Sequence, residues 1–155
     1  MKKSIGIFVL LLSTVVFMSS CKKDMSKLPG TWKAISATID NDSEDDLDDM
    51  WTFRTDGTCT IECDFDEYFD NTFYNIVTFE GTYTTKGNET ITITSNKLHQ
   101  IGNEYYEKVI YDLDILLLNK NTMMVSGTVK LVSYEIEGNL TDTKKADVSI
   151  TLSKR

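Results

Sequence analysis

The sequence predicts an all-β chain: an antiparallel up-and-down meander of about eight strands, closed into a barrel. Three observations carry this. From Gly30 onward apolar and polar residues alternate with period two, and helical periodicity is nearly absent. Compact turn signals separate the alternating runs, at Thr55-Asp56-Gly57-Thr58, Lys86-Gly87-Asn88 and Asn119-Lys120-Asn121, and Gly138-Asn139 opens the last connection. Connections this short leave no room for crossover helices, so consecutive runs pair antiparallel. A meander of that length removes its edges most readily by closing on itself. A β-sandwich is the alternative architecture.

The predicted strands are 32–38, 51–55, 58–64, 73–85, 90–94, 104–118, 123–136 and 146–152. In 58–64, Cys59, Ile61 and Cys63 share a face with Phe65, while Thr58, Thr60, Glu62 and Asp64 share the other. Four residues along a straight strand cover about 13 Å, more than the ~7 Å between Cα atoms that a disulfide tolerates. A straight strand therefore predicts two buried free thiols; a bulge or turn would bring a disulfide within reach, and a metal site lacks further thiolate-metal ligands nearby. In 104–118, Val109, Tyr111, Leu113, Ile115 and Leu117 form an inward stripe. Asp112 and Asp114 face water on the other side until Leu116 and Leu118, where both faces turn apolar.

Ahead of the barrel stands a different kind of segment. Met1-Lys2-Lys3-Ser4, an apolar run over 5–18 and Ser19-Ser20-Cys21 have the layout of a secretory signal peptide. The run is shorter than the roughly 20 residues of a spanning helix. Met18-Ser19-Ser20-Cys21 resembles the bacterial lipobox, which implies cleavage before Cys21 and a lipid on that cysteine. The domain organisation is then a lipoprotein signal peptide at 1–20, a lipidated N-terminus and tether at 21–27, and one barrel domain at 28–155. Several acyl chains hold a protein to a bilayer far more firmly than one, at about 0.8 kcal/mol per buried methylene.

The full chain has 16 basic and 24 acidic residues. Removing Lys2 and Lys3 with the leader leaves 14 against 24, a formal net charge of −10. Such a body is a poor match for nucleic acid, whose phosphates require neutralising Lys and Arg. It is also held away from an anionic membrane except through its lipid.

Three short motifs carry a family resemblance. "LPGTWKA" is similar to the Gly-x-Trp opening of lipocalins, with Gly30 and Trp32 on the matching positions. "WTFRTDGTCT" resembles the second strand and hairpin of the small bacterial lipocalin-like lipoprotein domains, through Phe53, Asp56 and Gly57. "EGTYTTKGNETITI" resembles a later strand and hairpin of that group, through Gly81 and Tyr83. The resemblance implies a lipocalin-like β-barrel over almost the whole mature chain, with Gly30 and Trp32 as structural residues across its closed end. It also implies that the acid-rich stretch 40–50 forms a long loop over the open mouth. Two lipocalin features find no match: a Thr-Asp-Tyr-type motif, since Thr141-Asp142 falls short, and a basic residue stacked on the tryptophan, the only arginines being Arg54 and Arg155.

Motifs for catalysis are missing where they would be sought. The single histidine, His99, lies in "NKLHQIGN", read as a polar connection, so one chain cannot assemble a His-based triad or a multi-histidine metal site. No nucleophile elbow, phosphate loop or dinucleotide fingerprint appears. The acids of 40–50 are dense enough for calcium, yet the EF-hand pattern fails: the sixth position from Asp40 is Asp45 and the twelfth is Trp51. A solvated loop or short helix is expected there. "DFDEYFDN", 64–71, mixes acids with Phe65, Tyr68 and Phe69, as a lid or a protein-binding patch would, or a hairpin end folded onto the barrel.

The sequence thus points to a cell-envelope lipoprotein without catalysis or cofactor, anchored through Cys21, most naturally in an outer membrane. Its barrel either holds one small hydrophobic ligand or is filled by its own side chains. The candidate cavity residues are Phe53, Ile61, Val77, Phe79, Val109, Tyr111 and Met123. A filled barrel would instead serve an envelope protein partner through its surface.

Overall fold

The computed structural model describes residues 23–45, 47–64, 76–96, 99–101, 105–135 and 140–155. The leader 1–20, Cys21 and the aromatics of 65–75 lie outside the described residues. A 3-10 turn at Met25–Lys27 precedes ten strands: β1 Gly30–Ile39, β2 Asp42–Asp45, β3 Met50–Phe53, β4 Thr58–Asp64, β5 Ile76–Lys86, β6 Thr90–Ser95, β7 His99–Ile101, β8 Tyr105–Leu118, β9 Thr122–Glu135 and β10 Leu140–Lys154.

Every pairing is antiparallel, and the order β1-β3-β4-β5-β6-β8-β9-β10 closes when β10 pairs back with β1. This is an eight-stranded up-and-down barrel, as the alternation and turns predict. β2 lies on the same edge of β1 as β3, and β7 lies on the same edge of β8 as β6, so each continues its neighbour across a break. The described strands fall within residues 30–154 and close the ring among themselves.

The core is the inward half of each alternation: Trp51 and Phe53 on β3, Cys59, Ile61 and Cys63 on β4, Ile91 and Ile93 on β6, Val148, Ile150 and Leu152 on β10. Two bulges shift the pattern. On β1 the register slips between Ala34 and Ser36, so Trp32 and Ala34 face inward before the slip and Ala37 and Ile39 after it. On β8 it slips between Ile115 and Leu117. The extra residues of these bulges, Ile35 and Leu116, are 50% and 51% exposed and are the large exposed apolar residues among those described. The inward stripe on β8 accordingly ends at Leu118, and Leu117, expected inside, is only half-buried.

Two local expectations are corrected. The acid-rich stretch is not a long loop or a helix at its start. Asp40 and Asn41 adopt φ of 48° and 81°, a two-residue hairpin turn of the kind whose twist suits antiparallel strands, and Asp42–Asp45 pairs with Ser36 to Ile39 as β2. Asn and Asp tolerate positive φ better than other side-chain-bearing residues, which is why an acidic run can turn there. The strand logic persists beyond β2: Leu47, Asp49, Trp51 and Phe53 are all buried, one alternating stripe, and Ala34 N–H donates to the Asp49 carbonyl at 3.0 Å. Likewise His99 is not in a connection but opens β7, opposite Glu107 of β8.

Candidate functional site

The barrel offers two places where side chains converge, the lumen and the end beside the tether. In the eight-strand ring β3 and β8 stand opposite one another. Yet the rings of Trp51 on β3 and Tyr111 on β8 meet edge-on with centroids 5.2 Å apart. Phe79 of β5 stacks on Tyr111 at 6.2 Å, and Trp51 meets Phe53 at 6.3 Å. Phe53 meets the half-buried Tyr83 at 5.1 Å, and Tyr83 Oη donates to the Arg54 carbonyl at 2.6 Å. Tyr111 Oη donates to Cys63 Sγ at 3.6 Å. Aromatic pairs at such angles add about 0.5–1.5 kcal/mol each beyond their buried area. The lumen is therefore bridged by a layer of rings.

This layer sorts the residues expected to line a cavity. Ile61, Phe79 and Tyr111 belong to it or touch its level, Phe53 and Met123 lie on the tether side, and Val109 lies on the mouth side, all six buried. Val77 sits opposite Cys63 in the β4–β5 ladder, and its side chain lies outside the described residues. Trp51, which the sequence reading passed over, is the centre of the layer. Its parity with Phe53 was the available signal. Buried in that layer, Trp51 Nε1 has no hydrogen-bond partner among the described residues. An unsatisfied buried donor costs about 1–3 kcal/mol.

Among the described residues the buried polar side chains are Asp49 and Ser95. Asp49 occupies an inward position of the β3 stripe and is buried. Ser95 is also buried, and its Oγ accepts from Val109 N–H at 3.0 Å, standing in for a backbone acceptor where β6 gives way to β7. Cys59 and Cys63 are both thiols outside any disulfide and are buried on one face of β4. Burial pushes the Cys59 thiol up to about 11, so it stays protonated and unreactive near neutral pH. Among the described residues no group of three or more His, Cys, Asp or Glu side chains is placed to hold a metal ion. None of their helices is long and apolar enough to cross a membrane, which says nothing about strands.

The tether end is closed by a lock built on the Gly-x-Trp motif. Trp32 pairs with Lys154 in the β1–β10 ladder, and directly opposed residues present side chains to the same face. Lys154 follows Ala146, Val148, Ile150 and Leu152 at the next inward position and caps the stripe. Its Nζ lies 4.8 Å from the Trp32 ring centroid and donates to the carbonyls of Lys27 at 2.6 Å and Pro29 at 2.8 Å. Trp32 Nε1 donates to the Leu28 carbonyl at 2.8 Å. Gly30 fits here for two reasons: its φ is 132°, and a Cβ would stand 2.7 Å from Lys154 Cε. The basic partner of the tryptophan is thus a lysine and not an arginine, and nothing local in the sequence marks a residue 122 positions away. These bonds fix the end of the tether to the barrel at Lys27, Leu28 and Pro29.

Compared with known protein families and with curated proteins, the chain matches no family model and no curated sequence.

Proposed function

We propose that this chain is a bacterial cell-envelope lipoprotein with a lipocalin-like barrel, anchored through acylated Cys21, that acts by binding and not by catalysis. Its ligand is a small apolar molecule with one hydrogen-bond acceptor, held on the mouth side of the aromatic layer. The observation that carries this reading is the unpartnered Trp51 Nε1 in the buried layer of rings, an interior whose buried polar side chains among the described residues are Asp49 and Ser95. An acceptor brought to it would recover the cost of leaving it unpaired. The Gly30, Trp32 and Lys154 lock supports the lipocalin-like part of the reading, since it supplies the basic partner of the tryptophan.

A second reading rests on the ring contact across the lumen. If side chains fill the whole interior, the barrel serves a protein partner in the envelope through its surface. Native mass spectrometry of residues 22–155 purified from the native envelope separates the two. A stoichiometric apolar adduct, weakened in Trp51→Phe, is the expected result; a bare mass under all conditions moves the choice to the partner-binding barrel. The anchor is tested separately in a lipoprotein-processing host. Cys21→Ala should abolish acyl incorporation and release the chain, and unchanged membrane attachment would overturn the anchor.

A further inference from the structure

We infer that the tether end of the barrel is a cationic face that binds the anionic phospholipid surface of a bilayer, holding the mouth away from the membrane. The chain as a whole is acidic, with a formal charge of −8. Charge is distributed unevenly, however. The meander gathers at one end the tether, the turns 54–57, 86–89 and 119–121, and residues 154–155. These segments are stitched together: Tyr83 N–H donates to the Gly57 carbonyl, Ile115 N–H to Glu89, Lys154 N–H to Asn121 and Arg155 N–H to Thr31.

Those segments carry Lys23, Lys27, Arg54, Lys86, Lys120, Lys154 and Arg155 against the three carboxylates of Asp24, Asp56 and Glu89; the exposed Asp114, opposite Thr90, stands beside them, and the seven cations against four carboxylates leave a local charge of +3. Two of the four carboxylates are turned back into their own turns. Asp24 accepts from Ser26 N–H and Oγ, and Asp56 accepts from Thr58 N–H and Oγ1. Lys27, Arg54, Lys86 and Lys120 are exposed.

The acids gather elsewhere. Asp40 and Asp42 and the rest of the β1–β2 hairpin stand at the opposite end. β1, which runs from the tether end to that hairpin, is 10 residues long, about 33 Å of strand. A barrel tilt of about 40° reduces that to about 25 Å along the axis. The Debye length at physiological salt is about 8 Å, so a membrane against the tether end is screened from the acidic hairpin and meets the local positive charge.

The site of the lipid agrees with this orientation. Cys21 precedes Lys23 by two residues, a reach of at most about 7 Å. Lys23, Asp24, Met25, Ser26 and Asn88 line an open recess of about 560 Å³ between the tether and the β5–β6 turn. Small-molecule sites span about 300–1,000 Å³, so a lipid headgroup fits. The inference rests on the lipoprotein reading for why the chain meets a membrane, but its test does not use the lipid.

The test is co-sedimentation of unlipidated residues 22–155 with phosphatidylcholine vesicles, with and without about 30% phosphatidylglycerol. Partition is expected on the anionic vesicles only, and should fall about tenfold between about 0.1 and 0.5 M salt. The double variant Lys86→Glu/Lys120→Glu, whose melting temperature is measured alongside, should lose about tenfold or more at low salt. Asp42→Lys/Glu44→Lys changes net charge in the opposite sense at the far end and should leave partition within about twofold. No partition at low salt overturns the inference, as does a double variant that binds like the parent. A hairpin variant that gains as much as the tether variant loses means that net charge, not this face, governs binding. Should Cys21 prove unacylated, the partition result stands; should partition fail while acylation holds, only the cationic face is lost.

Discussion

The same two strands, β1 and β10, end in opposite ways at the two ends of the barrel. At the tether end the groups left over are carbonyls, those of Lys27 and Pro29, and the ammonium of Lys154 satisfies both while covering the Trp32 ring. At the mouth end the group left over is an amide. Asp147 N–H donates to Asp40 Oδ1 at 2.8 Å, and Asp40 N–H returns a bond to the Asp147 carbonyl at 2.9 Å. An unpaired carbonyl calls for a cation and an unpaired N–H for an anion, so the backbone polarity of a ladder's ends can set the sign of the side chain that closes it. The two closures differ in what lies beneath them. Lys154 seals a buried indole, whereas Asp40 seals an exposed hairpin turn.

The largest test of that difference removes what the lysine covers. Trp32→Ala should destabilise the barrel by about 3–5 kcal/mol, read as a lowered denaturation midpoint, because a fully buried ring leaves a cavity behind. A loss below about 1 kcal/mol would mean that the tether end collapses freely. Lys154→Ala should cost about 1–2 kcal/mol through two carbonyl bonds and the ring contact. It should also speed proteolysis around residues 27–29, whose carbonyls the lysine holds at Lys27 and Pro29. Asp40→Gly, the matching deletion at the mouth, keeps the positive φ and should cost about 0.5–1 kcal/mol, since water can replace its carboxylate. Equal effects from the two would dissolve the comparison. Smallest of all, Ile35→Thr and Leu116→Thr should change stability by no more than about 0.5 kcal/mol, because both side chains already face solvent on their bulges.

A pH titration sharpens the same comparison from inside. Burial raises the Cys59 pKa from its ordinary value of 9.0 to about 11, so the native state keeps a proton that the unfolded chain releases earlier. The stabilisation from this thiol is complete below about pH 9 and declines as pH rises towards 11. Denaturant midpoints across that range should fall more steeply for the parent than for Cys59→Ala, and parallel slopes would contradict the burial argument.

Much of this was legible along the chain because a half-buried strand writes its geometry into every second residue. Cys59, Ile61 and Cys63, or Val109 through Ile115, could be placed inward from alternation alone. Alternation fails where a bulge inserts one residue. Leu116 and Leu118 looked like a strand apolar on both faces, and only the slip between Ile115 and Leu117 shows which of them is inside. Acid density misled for a related reason: Asp40 and Asn41 form a turn because their backbones accept positive φ, and β2 forms because β1 offers it an edge.

The sequence by itself determined the strand content, the antiparallel order and the inward residues of the straight runs, since these follow from local period and short turns. Only the tertiary structure decided that Trp51 meets Tyr111 across the lumen and that Lys154 closes over Trp32. Both contacts join residues more than 50 positions apart. They depend on the ring closing with a particular register, and no local pattern encodes how strands stagger when the first meets the last.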